Sequence, residues 1–368
     1  MTFAWQVLTI DIIRYWSLAF VPLAVVFFVL PCRMRVRHQA RWIMFLLLCG
    51  MKGIVYEQFG GDAMAPNLPE KLIWVWNWLD DGLFFLVALS LVWWVRRARA
   101  WILPAVAWGL AAWGQLNGTV PPGVREIEIA RPDLPAALDG YRIAQVSDLH
   151  CSSAARRWRT QAVVDRVNGL GADLVCLTGD YVDGRCKCLA DDLAPLAELR
   201  AKDGVYGCRG NHEYYSDRFA WRAWLAAHGL RMLVNECVFP RPELALGGVN
   251  DDSSAMKFGD VRADVAKAFA AATNGEFRVL MDHRPINAPA NLVKHKVDLQ
   301  LSGHTHGGVA PLIDRVVAAK NRGYVRGVYE MDGRTLVVSP GCGQWVGFPM
   351  RFFNPAEITL VTLRKKGN

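Results

Sequence analysis

Five short stretches concentrate the side chains able to hold a metal ion or move a proton: "SDLH" (147–150), "GDYVD" (179–183), "GNH" (210–212), "DHRP" (282–285) and "GHTHGG" (303–308). They contain Asp148, His150, Asp180, Asp183, Asn211, His212, His283, His304 and His306, and so five of the eight histidines in the chain. Mixed carboxylate, amide and imidazole donors suit Mn, Fe, Zn or Co rather than calcium or a thiolate-bound structural zinc. Residues i and i+2 of an extended segment project to one side, so Asp148 and His150 can reach one ion together. His304 and His306 share that spacing, though a loop could divide them between two ions. Adjacent glycines let backbone approach where a Cβ would intrude. Taken singly each stretch is commonplace, and all five in this order are a strong signal.

Each stretch closes an apolar run: "YRIAQV", "ADLVCL", "GVYGC", "FRVLM" and "VDLQL". Helical patterns near 160–169, 191–202, 217–228 and 288–295 lie between the runs, and "RTLVVSPGCG" and "EITLVTLRKK" form a β-rich end. Strands separated by helices predict an α/β layered domain with buried sheets. In open α/β sheets, ligand sites form at the carboxyl ends of strands. The Pro/Gly-containing stretch "GTVPPGVREIEIARPDLP" opens this domain, which is expected over residues 121–368.

With "LDGYRIAQVSDLH" at the start and "NPAEITLVTL" at the end, the set resembles the calcineurin-like metallophosphoesterase superfamily over roughly residues 124–364, and more narrowly its bacterial membrane-anchored branch. The resemblance implies a two-sheet α/β/β/α sandwich and two divalent ions. Asp148, His150 and His306 would hold one ion and Asn211, His283 and His304 the other, with Asp180 bridging. Such ions, ~3.5–4 Å apart, generate a hydroxide that attacks phosphorus in line. His212 would bind no metal. It would donate to the phosphoryl oxygen or protonate the leaving group, and Asp183 would accept from it and fix its tautomer. "GDYVDGR" is similar to the "GDYVDRG" of Ser/Thr protein phosphatases, but Gly184 stands where their phosphate-gripping arginine would be. A protein-phosphatase activity is therefore not expected.

Residues 1–120 have another character. Eleven of the 15 tryptophans lie at or before Trp113, and apolar runs at about 9–31, 42–59, 72–95 and 101–117 approach the ~20 residues that cross a bilayer. A four-helix transmembrane region is expected. Arg33, Arg35, Arg37 and Arg41 follow the first run, and Arg96, Arg97 and Arg99 the third; they supply nearly the whole net charge of +8. Placing these loops in the cytoplasm accounts for them better than nucleic-acid binding does, and leaves the catalytic domain on the extracytoplasmic side of an inner-membrane, multi-pass protein. The arginines follow the first apolar run instead of preceding it, so an uncleaved anchor is expected. Asp11 and Arg14 are expected to pair, and Asp80–Asp81–Gly82 to break the third span. Arg156, Arg157, Trp158 and Arg159 could grip a phosphate or lipid headgroups, or simply form a solvated helix start. Cys186 and Cys188 could hold a disulfide partner in an oxidising compartment.

The expected function is a membrane-anchored hydrolase of phosphomonoesters or phosphodiesters, tethered near membrane lipids and so directed to an amphiphilic, lipid-linked substrate. A non-catalytic membrane sensor or transporter with a structural metal site is the alternative. His212 with Asp183 favours the enzyme, because a purely structural site has no use for a histidine that binds no metal.

Overall fold

A computed structural model describes residues 17–32, 34–61, 66–93, 102–215, 217–273, 275–310, 313–345 and 347–366. Asp11, Arg14, Arg33, Arg96, Arg97 and Arg99 lie outside the described residues. The chain divides into two compact units, Met1–Thr119 with Val346–Met350, and Val120–Trp345 with Arg351–Asn368.

The first unit is helical. An apolar helix, Ser17–Val29, is followed by Val36–Gly50, Lys52–Gly60, Glu70–Trp93 and Leu103–Thr119. Among the described residues, Glu70–Val92 is the one helix long and apolar enough to cross a membrane unaided. Val36–Gly50 and Lys52–Gly60 reach that length only together, and they bend by 53° at Met51. The run expected to be continuous over 42–59 is therefore broken. Beside the bend, Gly50 packs where a Cβ would lie 2.8 Å from Val21 Cγ2, and Lys52 Nζ reaches Asp80 Oδ2 at 3.3 Å. The break expected at Asp80–Asp81–Gly82 does not occur. Asp80 is paired with Lys52, Asp81 accepts from Gln115 Nε2 at 2.8 Å, and Gly82 leaves room for the Trp108 ring. The unit buries Lys52, Asn77, Asp80, Asp81 and Gln115 while Leu47, Leu72, Val75, Leu91, Val92 and Leu116 face outward. The same unit buries an apolar core that includes Phe28, Leu46, Leu83 and Leu86.

The second unit is built on two six-stranded sheets. The first has the order β1 (Gly123–Arg131), β12 (Glu357–Lys365), β2 (Arg142–Val146), β3 (Leu174–Leu177), β4 (Val205–Gly207), β5 (Arg231–Met232). The second has the order β10 (Gly327–Met331), β11 (Arg334–Val338), β9 (Leu299–Ser302), β8 (Phe277–Met281), β7 (Leu244–Gly248), β6 (Glu236–Arg241). β2 to β5 run parallel, as do β7, β8, β9 and β11. Ile143, Leu174, Cys176 and Val361 of one sheet share a core with Leu246, Val279, Met281, Leu299 and Val337 of the other. Strand alternation sends Ala245, Leu280, Leu336 and Val338 to the opposite face, onto Val265, Ala268, Leu292 and Val297. The domain is thus the expected two-sheet α/β sandwich. Gln145 joins the sheets inside it, its Nε2 donating to Thr178 Oγ1 at 3.0 Å and to the Ser302 carbonyl at 2.9 Å.

Candidate metal centre

The nine predicted site residues all follow the carboxyl ends of parallel strands. Asp148 and His150 come after β2, Asp180 and Asp183 after β3, Asn211 and His212 after β4, His283 after β8, and His304 and His306 after β9. Both sheets contribute, so the residues converge at one end of the sandwich. Asp148, His150 and His306 form one group able to hold an ion, and Asp180, His283 and His304 another, each with its ligand atoms within 4.8 Å of one another. His304 and His306 are thus divided between two groups.

The backbone bends sharply to achieve this. Asp148, His150, Asp180, His304 and His306 have φ of 51°, 46°, 56°, 72° and 50°. Non-glycine residues avoid this left-handed region, and holding one there costs about 1–3 kcal/mol. The surrounding chain is close enough to impose it. A Cβ on Gly341, itself at φ +82°, would lie 2.6 Å from Asp148 Cβ, and one on Gly210 would lie 2.6 Å from Asp180 N.

At the first group, His150 Nε2 and His306 Nε2 face each other at 3.0 Å, and His306 Nε2 is 3.6 Å from Asp148 Oδ1. At the second, His283 Nδ1 donates to the Thr178 carbonyl at 2.7 Å, which leaves Nε2 directed at Asp180 Oδ2, 3.1 Å away. Asn211 donates through Nδ2 to the Tyr215 hydroxyl, while its Oδ1 is buried with no hydrogen-bond partner. Ring nitrogens facing each other or a carboxylate, beside an unsatisfied buried amide oxygen, are groups that a divalent cation would satisfy.

Asp183 Oδ1 lies 3.0 Å from His150 Nδ1 and 2.5 Å from His212 Nδ1. One carboxylate oxygen therefore faces two rings, and the Nε2 of His150 is the atom turned to His306. His150, Asp183 and His212 also meet within metal-ligand range, but Asp183 is already engaged by both imidazoles. Burial disfavours the charged ring of His212, and Asp180 and Asp183 outweigh it, pushing its pKa up to about 9. Burial likewise opposes charge on His283, while Asp180 and Asp148 push its pKa up to about 10. Burial, then Arg284 for His304 and His150 for His306, hold those two rings well below the usual histidine range. Burial raises Asp180 too, but His283, His212 and His150 bring its carboxyl well below the ordinary carboxylate range.

Two residues near the site had little signal in the sequence. Glu213 is buried, and its carboxylate accepts from the backbone N–H groups of Asp180, Tyr181 and Gly210 at 3.1, 2.6 and 2.7 Å. The only hint of it was the glutamate of "GNHE". Arg284 Nη1 lies 2.9 Å from His304 Nε2, a contact between segments that no local pattern reveals. The cluster at 156–159 is mostly engaged elsewhere. Arg156 pairs with Asp192 at 3.1 Å, and Arg159 is buried, donating to the Cys342 carbonyl at 3.0 Å. Arg159 is therefore not a headgroup contact. Cys151 is also buried, which pushes its thiol pKa up and makes it inert. All nine cysteines are free, Cys186 and Cys188 included.

A sequence model of the calcineurin-like phosphoesterase family matches residues 141–308. A Danio rerio protein described as a transmembrane protein with metallophosphoesterase domain is 34% identical over 282 residues, 73% of this chain and 63% of that protein. An uncharacterized metallophosphoesterase of Helicobacter pylori is 32% identical over 259 residues, covering 69% of this chain and 67% of its own. Another, from Aquifex aeolicus, is 32% identical over 247 residues, covering 67% of this chain and 93% of its own. The chain thus spans about three fifths of the Danio relative (63%) and nearly all of the Aquifex one (93%). The family match begins at Tyr141 and ends at Gly308, enclosing every one of the strand-end stretches, and with such relatives over the same domain the chain belongs to the calcineurin-like metallophosphoesterases.

Proposed function

We propose that the chain is a membrane-anchored phosphohydrolase using two divalent ions, of the Mn, Fe, Zn or Co kind, to cleave a phosphomonoester or phosphodiester of a lipid or lipid-linked molecule. Asp148, His150 and His306 would hold one ion, and Asn211, His283 and His304 the other, with Asp180 between them. The observation that carries this reading is the pair of ligand groups, Asp148–His150–His306 and Asp180–His283–His304, each gathered within 4.8 Å from both sheets. Bound there, the ions supply Lewis-acid polarisation of the phosphoryl group and activation of water at neutral pH.

The protein's own groups account for the remaining steps. Asp183 holds the Nδ1 proton of His212, so its Nε2 is free to give a proton to the leaving oxygen. Anchoring is supported by the Glu70–Val92 helix and by the outward apolar and inward polar faces of the first unit. The description of the Danio relative as a transmembrane protein agrees with it.

Purified protein stripped with chelator and resupplied with Mn²⁺ is expected to hydrolyse chromogenic phosphomonoesters or diesters, and to release phosphate from a lipid extract. His212→Ala is expected to keep its metal by elemental analysis and to turn over about 10²–10⁴-fold more slowly. Absence of hydrolysis on every ester tried, with metal bound, would support the non-catalytic sensor instead.

A further inference from the structure

We propose that Arg284 grips the substrate's phosphoryl group, and that this group is a dianionic terminal phosphate, so that the enzyme is a phosphomonoesterase. The assignment rests on the phosphohydrolase reading above. Arg284 follows His283 in the loop after β8. Its Nε pairs with Asp251 Oδ2. Asp251 is in turn fixed, with no exposed surface, by capping the helix Asp252–Phe258 and accepting from Ser254 N at 2.7 Å. One edge of the guanidinium is therefore moored. The other edge is directed at the site, with Nη1 2.9 Å from His304 Nε2. The Arg284 side chain keeps 21% of its exposure.

His304 Nε2 has one lone pair. In the structure it faces Arg284, whose Nη1 is thereby placed beside a residue that would hold an ion. Two buried guanidiniums, Arg159 and Arg351, donate instead to main-chain carbonyls, Arg159 to Cys342 and Arg351 to Pro340, Gly341, Gly343 and Asn354. A moored fork with a free end matches two oxygens of one phosphate. Esterifying a further oxygen halves the ligand's charge and removes an acceptor, so a terminal phosphate gains most from it.

The test compares full-length wild type, Arg284→Gln and Arg284→Lys, all loaded with Mn²⁺. Metal content, inorganic phosphate affinity by calorimetry, and kcat and KM on 4-nitrophenyl phosphate and bis(4-nitrophenyl) phosphate are measured. With Gln, metal content is expected to hold and phosphate affinity to fall about 10–100-fold. Monoester kcat/KM should fall by a similar factor and the monoester-to-diester ratio at least about fivefold, with Lys recovering part of each. Asp251→Asn, which loosens the mooring without removing the charge, should fall in between, and it serves as the test if Arg284→Gln does not fold. Loss of metal, or equal loss on both esters, would make Arg284 a positioning residue for His304 and overturn the assignment. An active wild type with unaltered variants overturns it alone. A wild type that neither hydrolyses esters nor binds phosphate overturns the phosphohydrolase reading as well.

Discussion

His283, as a proposed ligand, would link proton and metal in a single residue. Its Nδ1 proton goes to the Thr178 carbonyl, and the proton that Asp180 holds on Nε2 stays on up to about pH 10. Coordination through Nε2 needs a neutral ring, so metal must displace that proton. The apparent Mn²⁺ affinity of this group is expected to rise about tenfold per pH unit between pH 7 and 9, with one proton released. Calorimetry in two buffers of different protonation enthalpy measures the release; an affinity independent of pH would remove His283 from the ligand set. The same shift acts on stability. The folded pKa is raised above the ordinary value of 6.5, so the stabilisation is complete below pH 6.5 and is lost as pH rises towards 10. The melting temperature of ion-free protein should fall over that interval, and Mn²⁺-loaded protein, with His283 already neutral, should not follow this part of the trend.

Loops depend on groups that bind no ligand. Glu213 ties the turn after β3 to the turn after β4 by accepting three backbone N–H groups. In Glu213→Gln an amide –NH₂ replaces one accepting oxygen and faces a donor it cannot satisfy. The expected cost is about 1–3 kcal/mol of stability and about 10–100-fold in Mn²⁺ affinity. Thermal melts and metal titration check both; unchanged values would mean the turns hold themselves. Elements of this kind mark how far the sequence could be read. The strand ends were legible because apolar runs stop abruptly at Asp, Asn or His, and burial in a sheet leaves few other reasons for that pattern. Helices appeared near their expected places, Arg157–Asn168 and Arg218–Ala227 among them. Left-handed φ at Asp148, His150, Asp180, His304 and His306 was not legible, since those residue types do not prefer it and tertiary contacts impose it. The Asp251–Arg284–His304 chain was hidden for a related reason: its members come from three loops that meet only once the sheets form.

For the molecule as a whole, the side of the membrane on which the proposed chemistry would occur depends, on the proposed anchoring, on how often the first unit crosses the bilayer. The pair Val36–Gly50 and Lys52–Gly60, bent by 53°, could cross or could turn back as a re-entrant segment. Charge separates the two. If the pair crosses, the loop with Arg35, Arg37 and Arg41 and the loop with Arg96, Arg97 and Arg99 lie on the same side, as the positive-inside rule requires. If it turns back, the two basic loops fall on opposite faces and one of them violates the rule. The Lys52–Asp80 pair, buried at 3.3 Å, removes the main objection to crossing, which is an unpaired ammonium in hydrocarbon. Four crossings place residues from 121 onward outside the cytoplasm. A reporter enzyme active only outside the cytoplasm should then be active when fused after Asn368 and silent when fused after Arg99. Activity after Arg99 with silence after Asn368 would invert the topology. Silence at both sites would mean that Leu103–Thr119 does not cross, bring the metal centre into the cytoplasm, and shift the expected substrates to phosphate esters of the inner leaflet or of the cytosol.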